Sequence, residues 1–165
     1  APVATMTDIV GEIGALLDFL VTDPDGLGTA NRPIHLSGHS AGGHLTAVYR
    51  AHPGVVSALA ISPLVDLEPI SLCVLNDKLQ LSAREVDAYS PLRHVGPGAP
   101  TVVAVGDAEL PELVRQARDY ATACEAAGER IVHVGLPGMR RFDVLDDLAK
   151  PDGAMLAALQ SIAPR

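Results

Sequence analysis

One serine stands between two glycines in the stretch Leu36-Ser37-Gly38-His39-Ser40-Ala41-Gly42-Gly43-His44-Leu45. Gly38 to Gly42 fits G-x-S-x-G, a pattern in which a strand breaks sharply into a helix and holds the serine hydroxyl above a sheet as a nucleophile. In that geometry the backbone N–H of the next residue, Ala41, serves as an oxyanion donor. Short patterns of this kind also arise in Gly-rich turns whose serine merely caps a helix, so the flanks must decide. Pro33 to Leu36 is a short, mostly apolar run after the turn-rich Asp23 to Gly28, which suits a buried parallel strand. Beyond Ser40, Leu45, Ala47, Val48 and Ala51 recur at helical spacing up to Pro53-Gly54. Strand, tight turn and helix are the context the nucleophile reading requires.

The elements that must carry this serine follow along the chain. Thr7 and Asp8 open a helix with Ile9, Ile13, Leu16, Leu17 and Leu20 on one face, ending near Val21. Val55 to Ile61 reads as a second buried strand, closed by Ser62-Pro63. Between Leu64 and Val95 the spacing predicts short helical pieces, including Ser82-x-x-Glu85 with capping-box spacing, in an insertion that can wall a pocket. Thr101 to Val105 is a third strand and Ile131 to Val134 a fourth, separated by a helix that starts at Pro111 and stops at Gly128. Phe142 to Leu148 and Ala154 to Ile162 read as helices. Alternating strands and helices imply an α/β fold with a mostly parallel sheet, whose functional groups lie at the carboxyl ends of the strands. No internal repeat or linker divides residues 1–165, so a single domain is expected.

Composition narrows the function further. Nearly half of the 165 residues are apolar (48%), which fits a folded domain rather than a disordered chain. Twelve Lys and Arg against 20 Asp and Glu give a formal charge of -8, leaving no basic stripe for nucleic acid or an anionic membrane surface. No apolar run reaches the roughly 18 residues of a membrane span, and the start lacks the pattern of a signal peptide. Cys73 and Cys124 are too few for a disulfide framework and lack metal-site spacing. They read as buried thiols in a reducing compartment, which points to the cytoplasm. The chain begins without methionine, which raises the expectation of further sequence upstream.

Four segments carry a specific resemblance: GHSAGGHL, SPLVDLEPI from Ser62 with Asn76-Asp77 after it, VGDAELPELVRQARDY from Val105, and RFDVLDDLAKPDG from Arg141. Together they resemble the carboxyl-terminal part of an arylformamidase, or kynurenine formamidase, in the α/β-hydrolase superfamily. The resemblance implies a partial α/β-hydrolase fold lacking the early strands, and a serine hydrolase that cleaves N-formylkynurenine, or a similar small formamide or aryl ester, without a cofactor. It places the nucleophile on Ser40 and the acid on Glu109, with Asp107 as a nearby competitor. A small-molecule carboxylesterase, or a degenerate hydrolase kept as a binding or interaction module, are the alternatives.

Two departures from the family pattern matter chemically. Where the family has a histidine before the Phe-Asp pair, this chain has Arg141. An arginine side chain stays cationic and offers donors only, so it cannot take a proton from Ser40. A hydrogen-bonded ion pair of Arg141 with Glu109 or Asp107 is the expectation. None of the six histidines stands where the base belongs; His133 alone follows Glu109, and it falls within a strand. The second departure is the missing His-Gly-Gly stretch that completes the oxyanion hole in the family. Without the strands that accompany it, Pro33 to Leu36 presents an uncovered sheet edge, and either a longer product or a homo-oligomer would cover it.

Overall fold

The computed structural model describes residues 4–162. Helix α1 (Met6–Thr22) opens on a reciprocal cap: the Thr5 hydroxyl oxygen accepts from the Asp8 N–H, and the Asp8 carboxylate accepts from the Thr5 N–H. The cap is Thr5 rather than Thr7, because only Thr5 stands three residues before the acid. There follow β1 (Ile34–His39), α2 (Ala41–Tyr49), β2 (Val55–Ile61), the short helices α3 (Glu68–Ser71), α4 (Asn76–Leu79) and α5 (Ala83–Ala88), then β3 (Thr101–Gly106), α6 (Pro111–Ala126), β4 (Ile131–Leu136), α7 (Leu145–Leu148) and α8 (Ala154–Ile162). Helix α5 carries the expected Ser82–Glu85 capping box.

The strands form one parallel sheet in the order β1-β2-β3-β4. Successive side chains of a strand point to opposite faces, so a strand covered on both sides needs apolar residues throughout. Strand β3 shows this. Val102 and Ala104 pack with Leu59, Ile61, Met155 and Ile162 on the α8 side, while Val103 and Val105 pack with Ala47, Ala117, Tyr120 and Cys124 on the side of α2 and α6. Strand β1 corrects the expectation of a buried strand. His35 and Ser37 are exposed and Leu36 is half-buried, because α8 packs on β2, β3 and β4, and β1 pairs with β2 alone among the described residues.

Two more expectations change. Helix α7 covers Leu145–Leu148 only, since residues 141–144 are turns that dock against the end of β3. The buried Asp147 of α7 then turns outward from its own helix to cap α8, accepting from the N–H groups of Ala154 (3.2 Å) and Met155 (2.8 Å). Cys124 is buried, but Cys73 is exposed in the turn between α3 and α4, beside Leu72 and Val74, which are also exposed. At the amino-terminal end of the sheet the buried Arg50 ties α2 to β3 and to the end of α6. It donates to Thr101 Oγ1 (3.1 Å), to the carbonyl of Gly96 (2.8 Å) and to Glu129 Oε2 (2.7 Å).

Candidate active site

At the carboxyl end of β1 the chain turns into α2 through Ser40, whose φ of 59° and ψ of -114° lie where a residue with a side chain rarely goes. Such a conformation costs about 1–3 kcal/mol and persists only when its surroundings enforce it. Here the Ser40 N–H donates to the Ile61 carbonyl (2.9 Å), and the Ser40 carbonyl accepts from the His44 N–H (2.9 Å). Glycines allow the close approach this requires. A Cβ on Gly38 would lie 2.3 Å from the Gly42 oxygen, and one on Gly43 would lie 2.8 Å from the Ile61 oxygen. At Gly42 a Cβ would meet nothing within 4 Å. The turn therefore rests on Gly38 and Gly43, and Gly42 is sterically free.

The Ser40 side chain makes no capping bond to α2. Its hydroxyl oxygen instead accepts from Nη2 of Arg141. Ala41, the exposed first residue of α2, has one of the first four N–H groups of the helix, which lack intrahelical partners.

Glu109 reaches the site from the turn after β3. Its side chain is fully buried, and Oε1 accepts from the Ser62 hydroxyl (2.6 Å) and the Gly106 N–H (2.9 Å). Oε2 has no hydrogen-bond partner and faces Arg141 Nη1 at 3.8 Å. Asp107 is exposed and turns away to accept from the Gly138 N–H (2.6 Å). Of the two acids, Glu109 is the one beside Arg141, whose guanidinium in turn reaches Ser40. The hydrogen-bonded ion pair expected of Arg141 does not form. Its guanidinium lies within ion-pair range of Glu109 but beyond hydrogen-bonding distance, since Nη2 is drawn to Ser40 and Oε1 of the acid is already committed.

Arg141 is thus a planar cation spanning the space between hydroxyl and carboxylate. Its backbone is fixed by His39, whose Nε2–H donates to the Arg141 carbonyl (2.8 Å) and whose ring packs 5.9 Å from that of Phe142. The turn before it is fixed by β3: Gly106 leaves room for the Met139 carbonyl, which a Cβ would meet at 2.1 Å, and the Ala108 N–H donates to that carbonyl (3.2 Å). Sequence reasoning missed both Ser62 and His39 as supports. Ser62 follows its strand with no spacing signal linking it to Glu109, and His39 occupies the variable position of the motif.

The other imidazoles are engaged elsewhere. His35 bonds Ser57 Oγ (2.7 Å), His44 the Tyr89 carbonyl (2.7 Å), His52 Asp18 Oδ1 (3.1 Å) and His94 the Asp87 carbonyl (2.7 Å). His133 lies in the middle of β4. Burial holds the His44 imidazole below its ordinary pKa. Beside Ala41 an apolar cavity of about 110 Å³ opens between α2 and the segment after β2, lined by Ile9, Leu45, Leu64, Leu67, Ile70 and Leu79 among others. An apolar cavity of ~150 Å³ holds a benzene ring, so this smaller one has room for a short acyl chain rather than a whole ring. Among the described residues no group of three or more His, Cys, Asp or Glu side chains is placed to hold a metal ion, and no helix is long and apolar enough to cross a membrane.

A parallel sheet flanked on both faces, with a strained serine at the strand-to-helix turn and a buried acid after a later strand, defines the α/β-hydrolase fold. Solved structures agree. The chain superposes with a TM-score of 0.78 on EstE1, a thermostable carboxylesterase cloned from a metagenomic library, at 22% identity over 99% of this chain and 67% of that one. Esterase 2 of Thermogutta terrifontis, in the form phosphoramylated by tabun, gives a TM-score of 0.71 at 21% identity, covering 96% of this chain and 63% of that one. In sequence the chain is similar to the kynurenine formamidase of Danio rerio, with 27% identity over 129 residues. That match takes in 70% of this chain and 44% of the relative, so the chain spans less than half the length of the curated relative it matches. No family model matches the chain.

Proposed function

We propose that the chain carries the acyl-transfer site of a serine hydrolase of arylformamidase type, acting on a small formamide such as N-formylkynurenine or on a small aryl ester, with turnover impaired by Arg141. The observation that supports this most is the Ser40 turn. A strained, half-buried serine whose side chain caps nothing, held by a cation that also lies within ion-pair range of a wholly buried carboxylate, is the arrangement a reactive site would enforce. In the reaction Ser40 Oγ attacks the carbonyl, the Ala41 N–H receives the developing oxyanion, and the cavity beside Ala41 takes a short apolar part of the substrate. The similarity to kynurenine formamidases favours a formamide, and the esterase-like fold is compatible with an ester.

Impairment follows from Arg141, which fills the place between Ser40 and Glu109 with a donor where the chemistry needs an acceptor. Loss of the base in a serine hydrolase lowers turnover on the order of 10⁶-fold. Arg141→His supplies an imidazole whose Nδ1–H can meet the unpartnered Oε2 of Glu109. The variant is therefore expected to hydrolyse an aryl ester and N-formylkynurenine at least a hundredfold faster than the parent. A flat response in a folded variant would contradict the assignment of position 141 as the base position. The same guanidinium favours a second reading, a binding module that has given up catalysis, which requires that Ser40 react with no acyl or phosphonyl donor.

A further inference from the structure

We propose that Ser40 captures activated acyl groups in a single turnover: the site is built to form an acyl-serine and lacks what is needed to hydrolyse it. The inference rests on the reading of Ser40 as a nucleophile and concerns which half of the reaction survives.

The two halves make different demands. In the first, Oγ–H loses its proton, the Oγ–C bond forms, and the leaving group departs with the electron pair of the broken bond. With an aryl ester the phenolate leaves without protonation, so no general acid is required. Oγ–H can give its proton to hydroxide from solvent, and the Arg141 Nη2 donor stabilises the alkoxide that results. The Ala41 N–H serves the oxyanion. This half needs donors near Ser40, and donors are what the site holds.

The second half needs an acceptor. A water must lose a proton as its oxygen attacks the acyl carbon, and the Ser40–acyl bond must break with Ser40 regaining a proton. No imidazole is available to take that proton. His39 is the nearest in sequence, and its Nε2 is committed to the Arg141 carbonyl. Four others are bonded away from the site and His133 lies mid-strand. Glu109 Oε2 is unpartnered, but the guanidinium stands between it and Ser40, and its side chain is closed to solvent. Deacylation is left to hydroxide acting on an unactivated alkyl ester with no acid to protonate the departing Ser40 oxygen, so it is slower than acylation by an aryl ester whose phenolate leaves unaided. The acyl-serine accumulates.

The donor class is an activated ester, or an organophosphorus agent that transfers a phosphonyl group, each with a good leaving group. The test mixes the purified chain with p-nitrophenyl acetate at mildly alkaline pH, following p-nitrophenolate release and the intact mass together. The expected result is a burst of one equivalent of p-nitrophenolate per chain, then a rate close to background, with one acetyl group mapped to the Ser40 peptide and retained after the ester is removed. Arg141→His should convert the burst into continuous release, and Arg141→Met, which removes the donor, should slow the burst at least tenfold. Continuous release by the parent without a lasting adduct would overturn the capture proposal while leaving Ser40 as nucleophile. A fluorophosphonate adduct on Ser40 without any acetyl adduct would do the same. Failure of both reagents to modify Ser40 in a folded sample would overturn the proposal and the nucleophile reading together.

Discussion

The two glycines of the G-x-S-x-G pattern are equivalent in sequence and opposite in structure, which makes Gly38→Ala and Gly42→Ala an informative pair. A Cβ on Gly38 would lie 2.3 Å from the Gly42 carbonyl oxygen and 2.4 Å from its carbon, whereas real contacts essentially never fall below 3.0 Å. The gap must widen by 3.0 - 2.3 = 0.7 Å, and both partners are backbone, so β1 and α2 have to move apart as units. Forced overpacking of this kind costs about 1–3 kcal/mol, and the Ser40–Ile61 hydrogen bond that shares the turn adds about 1 kcal/mol if it breaks. Gly42→Ala places its methyl in open space within α2, where alanine is favoured over glycine by up to about 1 kcal/mol. Urea denaturation of the three proteins should separate the variants by about 2–5 kcal/mol, with Gly42→Ala at or above the parent and Gly38→Ala well below it. Equal midpoints for the two variants would refute the strand-to-helix packing described above.

Other consequences can be measured in the same way. Arg50→Met should destabilise the fold by about 3–5 kcal/mol, because it leaves Glu129 charged and part-buried, and adding Glu129→Gln should recover much of the loss. Ser62→Ala removes the 2.6 Å bond to the buried Glu109 carboxylate and should cost about 1–3 kcal/mol in denaturant unfolding; a neutral effect would mean that Glu109 is not held as described. His44 has a folded pKa lowered below its ordinary 6.5 by burial, so the unfolded chain binds a proton that the folded one refuses. Stability should therefore fall as pH drops through 6.5, by up to about 1.4 kcal/mol per pH unit, and His44→Gln, though weaker throughout, should lose that slope.

Much of the fold was legible because burial dictates pattern. VVSALAI and TVVAV are continuous apolar runs since helices cover both faces of β2 and β3, and the observed strands coincide with them almost residue for residue. Pro111 and the Ser82–Glu85 box mark helix starts through local chemistry, which requires no tertiary partner. Strand β1 was legible as a strand and misread as buried, because burial at a sheet edge depends on which helices extend over it. The segment at residues 141–144 has helical spacing but forms turns beside the end of β3, where the Met139 carbonyl and Val144 pack against Gly106. At the site, motif and resemblance single out Ser40, Glu109 and Arg141, and the fold brings Arg141 between the other two. The supports from Ser62 and His39, and the preference of the guanidinium for the serine hydroxyl over the carboxylate, depend on distances between strand ends that no spacing encodes.

Reaction of Ser40 with a fluorophosphonate tests the central claim most directly, since organophosphorus reagents discriminate a nucleophilic serine from the other hydroxyls of a folded chain. Peptide mapping after exposure should place a single phosphonyl group on Ser40, and folded Ser40→Ala should remain unmodified. Modification at another residue, or none at all in a folded sample, would contradict the account.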